Sequence, residues 1–153
     1  MQFGRTYDAD IISLVIRELW DALSDDATEY SDPSDFVPRI DEDSRWYISV
    51  EDNDVVGVYW LRRLNHITWE GHVNVRPKYW ASGKSLPHAQ AVLEFMWEDS
   101  GAEKIVATIP DSSKQVVKFI QTLGFTKEGR RTDSFQKNGK LYDELYFGIT
   151  LKR

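Results

Sequence analysis

The stretch His66-Ile67-Thr68-Trp69-Glu70-Gly71-His72-Val73-Asn74-Val75 runs into Arg76-Pro77-Lys78-Tyr79-Trp80-Ala81-Ser82-Gly83-Lys84-Ser85, and together they carry the most readable pattern in the chain. Ile67, Trp69, Val73 and Val75 share one parity with Gly71 between them, while His66, Thr68, Glu70, His72 and Asn74 share the other. Side chains of a strand alternate between its faces, so this pattern sends the apolar set into a core and gathers the ionisable set on one face. Pro77 closes the strand, and a loop from Lys78 to Ser85 leads to a helix with Pro87 in its first turn. Small residues ahead of a helix N-terminus present unpaired N–H groups and a positive dipole end, the arrangement that binds phosphate; the same residues also make an ordinary tight turn into a capped helix.

Outward from this stretch, two earlier strands are expected at Arg45 to Val50 and Val55 to Leu64, joined as an antiparallel hairpin through Glu51-Asp52-Asn53-Asp54. Asp8 or Asp10 caps a first helix ending near Ser24, with Ile11, Leu14, Val15, Leu19 and Leu23 as its apolar stripe. Pro33 and Pro38 limit the segment to Ser44 to short helical turns. After the loop, the helix carrying Val92, Leu93, Phe95, Met96 and Trp97 stops at Ser100-Gly101. A strand from Glu103 to Ile109, a helix from Ser112 to Leu123 closed by Gly124, and strands at Phe125 to Arg131 and Leu141 to Leu151 complete the chain. The order is that of a mixed α/β domain, with parallel pairing where a helix separates neighbouring strands.

Composition narrows the function. The 153 residues match one ordinary domain, expected to span 1–153, and their 20 aromatic side chains supply a core without metal or crosslinks. No cysteine is present, which excludes disulfides, thiolate zinc sites and a cysteine nucleophile. The net charge of -6 argues against nucleic-acid binding. No apolar run approaches the roughly 18 residues of a membrane span, so a soluble, cytoplasmic protein is expected, with no membrane partner. Nine acids between Asp21 and Asp43 face one base, Arg39. They read either as a solvated loop or as a wall that attracts a cationic substrate.

Gly83-Lys84-Ser85 resembles the end of a nucleotide-binding P-loop, but that pattern needs Gly where Lys78 stands. A metal site on His66, Glu70 and His72 would have to bridge roughly 20 Å of strand, so no metal is expected. The strand and its proline exit, the loop Trp80-Ala81-Ser82-Gly83-Lys84-Ser85, and the later segment from Ser113 to Leu123-Gly124-Phe125 occur in one order. Taken together they resemble the GNAT superfamily of acetyl-CoA-dependent N-acetyltransferases over nearly the whole chain.

That resemblance implies a mixed, mostly antiparallel central sheet, with a parallel pair splayed into a V and helices flanking it. It implies acetyl-CoA as co-substrate, its arm held by backbone groups at Val73 and Val75 and its pyrophosphate by Ser82, Gly83, Lys84 and Ser85, with Ser113 where the family has Asn. A primary amine, either a small cationic molecule or a peptide, would be the acceptor, and a homodimer through the last strands is a family arrangement. Glu70 and His72 are the expected catalytic residues. Glu70 is preferred as base, acting through water or with a pKa raised by burial, and His72 orients it or the substrate. Ile120 stands where many members carry a Tyr that protonates the leaving thiolate. Tyr79 or Tyr142 could replace it, the thiolate could leave unassisted, or the chain could be an inactive CoA-binding or protein-interaction module.

Overall fold

The computed structural model describes residues 1–23, 25 and 32–151. Its elements are β1 (Gln2–Thr6), α1 (Ala9–Glu18), α2 (Trp20–Leu23), β2 (Ser44–Glu51), β3 (Asp54–Arg63), β4 (Thr68–Val75), α3 (Ser85–Ser100), β5 (Lys104–Pro110), α4 (Lys114–Thr122), β6 (Thr126–Lys137) and β7 (Lys140–Thr150). Short 3₁₀ turns lie at Pro33–Asp35 and Pro77–Tyr79.

Two hairpins set the sheet's register. Asp52 and Asn53 both have positive φ, 51° and 60°, as do Asn138 and Gly139 at 52° and 74°. Two consecutive left-handed residues make the mirror-image turn whose twist matches that of the flanking strands. The first of these turns follows the expected Glu51 to Asp54 connection. The second extends β6 to Lys137, beyond the expected end at Arg131, and the Asn-Gly dipeptide was the signal for it. β1 was not expected, because five largely polar residues carry little strand pattern. It is held at the sheet edge by pairing with β2 from Gln2↔Val50 to Thr6↔Trp46.

The sheet runs in the order β1-β2-β3-β4-β5-β7-β6. All its pairings are antiparallel except that of β4 with β5. The parallel ladder is short: Thr68↔Lys104, Trp69↔Ile105 and Glu70↔Val106. Beyond Glu70 the two strands part, while β3 continues to pair with β4 as far as Gly57↔Val75. The mixed sheet and its V-shaped opening are therefore as expected.

One face of the sheet carries α3 and α4. Tyr47, Tyr59, Leu61, Trp69, Ile105 and Phe147 pack there against Val92, Met96 and Ile120. Burying a large apolar side chain fully stabilises the fold by roughly 1.5–3 kcal/mol, so this layer is the main core. The opposite face carries α1, with Ile12, Val15, Ile16 and Leu19 on Trp46 and Val58. The buried stripe is thus rotated from the expected one, and Leu14 and Leu23 are exposed. The run Ile11 to Ile16 is apolar on more than one side, so the sheet surface, not the spacing, chose the stripe. Ile67 is also exposed, since it precedes β4 instead of lying within it. The expected helix end at Ser24 lies outside the described residues, but α1 already breaks at Leu19.

Asp8 is the N-cap of α1, accepting from the N–H groups of Asp10 and Ile11 at 3.0 and 3.2 Å. Asp8→Ala leaves those donors without their acceptor. It is expected to lower stability by about 1 kcal/mol, read as a shifted urea midpoint with an unchanged slope.

Candidate active site

The open edge of β4 has a definite polarity. The Arg76 N–H bonds to Val56 O on the β3 side, whereas Ile67 O accepts from Glu103 and Lys104 at the head of β5. Backbone groups alternate along a strand, so odd-numbered residues of β4 turn theirs toward β5. The Gly71 N–H completes the Glu70↔Val106 rung; beyond it β5 no longer pairs, and the Gly71 carbonyl and the Val73 backbone face the gap. Val75 faces it too, but its carbonyl already accepts the Trp80 indole N–H at 2.8 Å. At the root of the gap lies an apolar cavity of about 30 Å³, lined by residues that include Tyr59, Gly71, Val73, Met96, Ile105 and Ile120. A Cβ on Gly71 would come within 3.1 Å of Ile105, so glycine keeps this root open.

Glu70 and His72 lie together on the face of β4 away from α3 and α4. Their side chains meet at 2.9 Å, His72 Nε2 to Glu70 Oε1. A carboxylate only accepts, so Nε2 carries the proton and donates it, and in the neutral ring Nδ1 keeps the free lone pair. Arg62 also reaches Glu70 Oε1, at 3.2 Å. The hydrogen bond from His72 holds the Glu70 carboxyl below its ordinary value; burial pushes the other way, and Arg62 assists the lowering. A Glu70 pKa raised by burial is therefore not what the structure has. The His72 ring stacks on Trp60 with centroids 4.9 Å apart, and Trp60 in turn stacks on Trp46 at 5.6 Å.

The loop after β4 is fastened by the tip of the β2–β3 hairpin. Asp54 takes Arg76 Nη1 at 3.0 Å and is also bonded by the Tyr79 hydroxyl and the Lys78 ammonium. Glu51 takes Lys84 at 2.9 Å, with buried His88 at 3.5 Å. Arg76 further makes two 2.9 Å contacts to Glu18 of α1. Gly83 has φ of 75°, with no atom near the place a Cβ would take. Of the four amides expected to face a pyrophosphate, two are used internally: Ser82 N–H donates to Tyr79 O and Lys84 N–H to Ser82 Oγ. Ser85 and Leu86, as the first residues of α3, carry N–H groups with no preceding turn to receive them. Ser85 Oγ bonds back to Tyr79 O at 3.0 Å.

The remaining expected residues separate. Ser113 precedes α4 as its N-cap without a side-chain bond, and its N–H donates to Pro110 O at the end of β5. His66 lies before β4 beside Arg63, away from the Glu70–His72 pair. Tyr79 is committed to Asp54, and Tyr142 pairs opposite Phe135 toward the β6–β7 turn. Much of the acidic segment is neutralised: Asp41 by Arg39, Glu42 by Arg5 and Arg45, Asp43 by Arg63. Asp26 and Glu29 lie outside the described residues. The part at Pro33–Asp35 is tied to α1 through Arg17, and Phe36 packs with the α1 layer, on the same side of the sheet as His72. Trp60, Asp54 and Glu51 were not singled out from sequence. The acids of the hairpin turn and the bases at Arg76, Lys78 and Lys84 are complementary in charge, but nothing local joins them.

The acetyltransferase (GNAT) family model matches residues 13–125, and the chain belongs to that family. Comparison with curated proteins returns no match. Among solved structures, the chain resembles a chimera of the Vibrio cholerae spermidine N-acetyltransferase SpeG and hSSAT, at 16% identity and TM-score 0.78, over 98% of this chain and 96% of that one. It also resembles the Salmonella typhimurium protein yncA, solved with its cofactor acetyl-CoA, at 15% identity and TM-score 0.78, over 100% and 95% of the two chains. A third is the ribosomal-protein-alanine N-acetyltransferase of Brucella melitensis, at 15% identity and TM-score 0.75, over 99% and 100%. Among the described residues, no helix is long and apolar enough to cross a membrane.

The Asp54 clasp has an acid signature. Its hydrogen bonds, that from Lys78 foremost and then that from Tyr79, hold the carboxyl at about 2, below the ordinary 3.8. A depressed carboxylate contributes stability above its unfolded value and loses it as pH falls toward the folded one. Between pH 5 and pH 2.5 the wild type should therefore lose more stability than Asp54→Asn does, measured by urea unfolding at each pH. Parallel losses would show that the clasp carries no such linkage.

Proposed function

We propose that the protein transfers an acetyl group from acetyl-CoA to a primary amine, with His72 as the general base and Glu70 as the group that orients it. The observation that carries this reading is the 2.9 Å Glu70–His72 bond at the height where β4 leaves β5. The residues present fit the co-substrate. Polar backbone at Gly71 and Val73 lines the gap, and Gly83, Ser85 and Leu86 supply the turn and free amides for a diphosphate. Lys84, beside that turn, adds positive charge next to Glu51. Ser113, at the far end of β5, flanks the same opening.

Bound there, acetyl-CoA supplies an activated thioester, and the acceptor amine is the nucleophile. His72 Nδ1 removes the amine proton, while Glu70 holds Nε2–H and stabilises the imidazolium that forms. This reverses the preference for Glu70 as base, because a carboxylate held ionised by His72 and Arg62 is a poorer proton acceptor than the imidazole it orients. Positioning is the other requirement, met by the rigid strand and the Trp46–Trp60 stack beneath the ring. Asp32 and Asp35, carried with Phe36 on the α1 side of the sheet, support a cationic acceptor such as a polyamine, an aminoglycoside or a lysine-containing peptide, the acids from Asp41 to Asp43 being paired with arginines.

Calorimetry with acetyl-CoA should show saturable binding, and an amine panel of spermidine, kanamycin and a lysine-containing peptide should show turnover by release of the CoA thiol. His72→Gln should lower kcat roughly 100-fold with KM for acetyl-CoA unchanged, and Glu70→Gln should lower it by a smaller factor. Loss in Glu70→Gln exceeding that in His72→Gln would return the base role to Glu70. Absence of acetyl-CoA binding would remove the proposal.

A further inference from the structure

The carboxylate that fastens the loop at Lys84 has a second, idle neighbour. Lys84 Nζ stands 2.9 Å from Glu51 Oε2, and His88 Nε2 stands 3.5 Å from the same oxygen. The longer contact is not a hydrogen bond, and neither ring nitrogen of His88 has a partner although the side chain is only 1% exposed. A buried polar group in that state costs stability, and native structures seldom keep one without a use.

The start of α3 explains the arrangement. Lys84 is its N-cap, and His88 lies one turn on, donating its N–H to Lys84 O at 3.2 Å. Residues four apart share one side of a helix, so both bases reach the same carboxylate. Pro87 has no N–H, so the first turn offers a ligand only the amides of Ser85 and Leu86. A diphosphate needs a cation beside them. Arg76 is held by both Glu18 and Asp54, whereas Lys84 is partly exposed and has the single partner Glu51.

We propose that Glu51 exchanges partners when acetyl-CoA binds: Lys84 turns from Glu51 to the diphosphate, and the His88 Nε2–H closes on the carboxylate in its place. This rests on the acetyltransferase reading above. A carboxylate only accepts, so Nε2 carries the hydrogen. The contact has to shorten by roughly 0.5 Å to become an ordinary hydrogen bond. No covalent bond changes and no proton is transferred. The half-buried carboxylate keeps a donor in both states, so Lys84 leaves without stranding a bare charge. His88 is thus a positioning residue, acting on the co-substrate through Glu51 and Lys84.

Calorimetric titration of the full chain with acetyl-CoA tests the exchange. His88→Leu removes both ring nitrogens at similar volume. Its Kd is expected to rise roughly 10-fold, with kcat on the fastest amine of the panel within about twofold of wild type. Adding Glu51→Gln to His88→Leu removes the charge that needs the donor and should return Kd to within about twofold of wild type. In a Lys84→Met background, where nothing is exchanged, His88→Leu should move Kd by less than about twofold. The thermal midpoint of ligand-free His88→Leu should stay level or rise, since no hydrogen bond is lost. A loss of affinity that Glu51→Gln leaves uncorrected, or that persists beside Lys84→Met, shows a histidine that only packs and overturns the proposal. Glu51→Gln alone, at the hairpin tip, tests it even where the buried substitution prevents folding. Its Kd should lie within about twofold of wild type or lower, and a larger rise would show that Glu51 aims Lys84 at the ligand instead of releasing it. Wild type without acetyl-CoA binding would sink the transferase reading together with this one. Wild type that binds and turns over, with additive effects of His88→Leu and Glu51→Gln, would sink the exchange alone.

Discussion

Where β4 stops pairing with β5 decides what this molecule can do. Three rungs of parallel ladder end at Glu70↔Val106, and the edge of β4 beyond them has backbone donors and acceptors that the sheet does not satisfy. An exposed strand edge invites another extended chain to pair with it. Here the edge lies inside the sheet, between strands that remain bonded on their other sides, so access is confined to a ligand narrow enough to enter. The long arm of acetyl-CoA has that shape and carries amide groups that can pair with it.

The gap persists because its two lips are anchored independently. β4 is held along its whole length by β3, and its exit is fastened through Arg76 to Glu18 and Asp54. β5 is held by β7 over seven residue pairs, from Lys104↔Thr150 to Pro110↔Glu144. Closing the gap would break one of these ladders or pull the ion-paired loop from the hairpin tip. Gly71 helps from within, because any side chain there would crowd Ile105. The ionised clasp at Asp54 and Glu51 also fixes the direction in which α3 starts, and with it the free amides of Ser85 and Leu86.

The two faces of the sheet divide the labour. Under α3 and α4 the core is apolar and rigid, whereas on the α1 face Trp46, Trp60 and His72 form a stack leading to the Glu70 carboxylate. Stacking and the Glu70 bond together leave the imidazole little freedom, which suits the role of base proposed for His72. The hydrogen bond from His72, with Arg62 assisting, holds the Glu70 carboxyl below its ordinary value, and a carboxylate acceptor keeps the proton on Nε2.

The strand carrying Glu70 and His72, the N-cap of α1, the Gly101 stop of α3, and the Glu51 to Asp54 turn were legible in the sequence, because each depends on residues within a few positions of one another. Alternation alone brought Glu70 and His72 to one face, and the proline exit with its glycine loop marked where a phosphate could sit. What the sequence left open depends on pairings between distant residues. Whether Ile11 or Ile12 leads the α1 stripe was settled by the sheet surface beneath it. That Asp54 and Glu51 would clasp Arg76, Lys78 and Lys84 needed the register of β3 on β4. Hydrogen-bond ladders between strands are set by the whole sheet, so the tertiary structure alone could decide which polar groups were paired and which were left to face the gap.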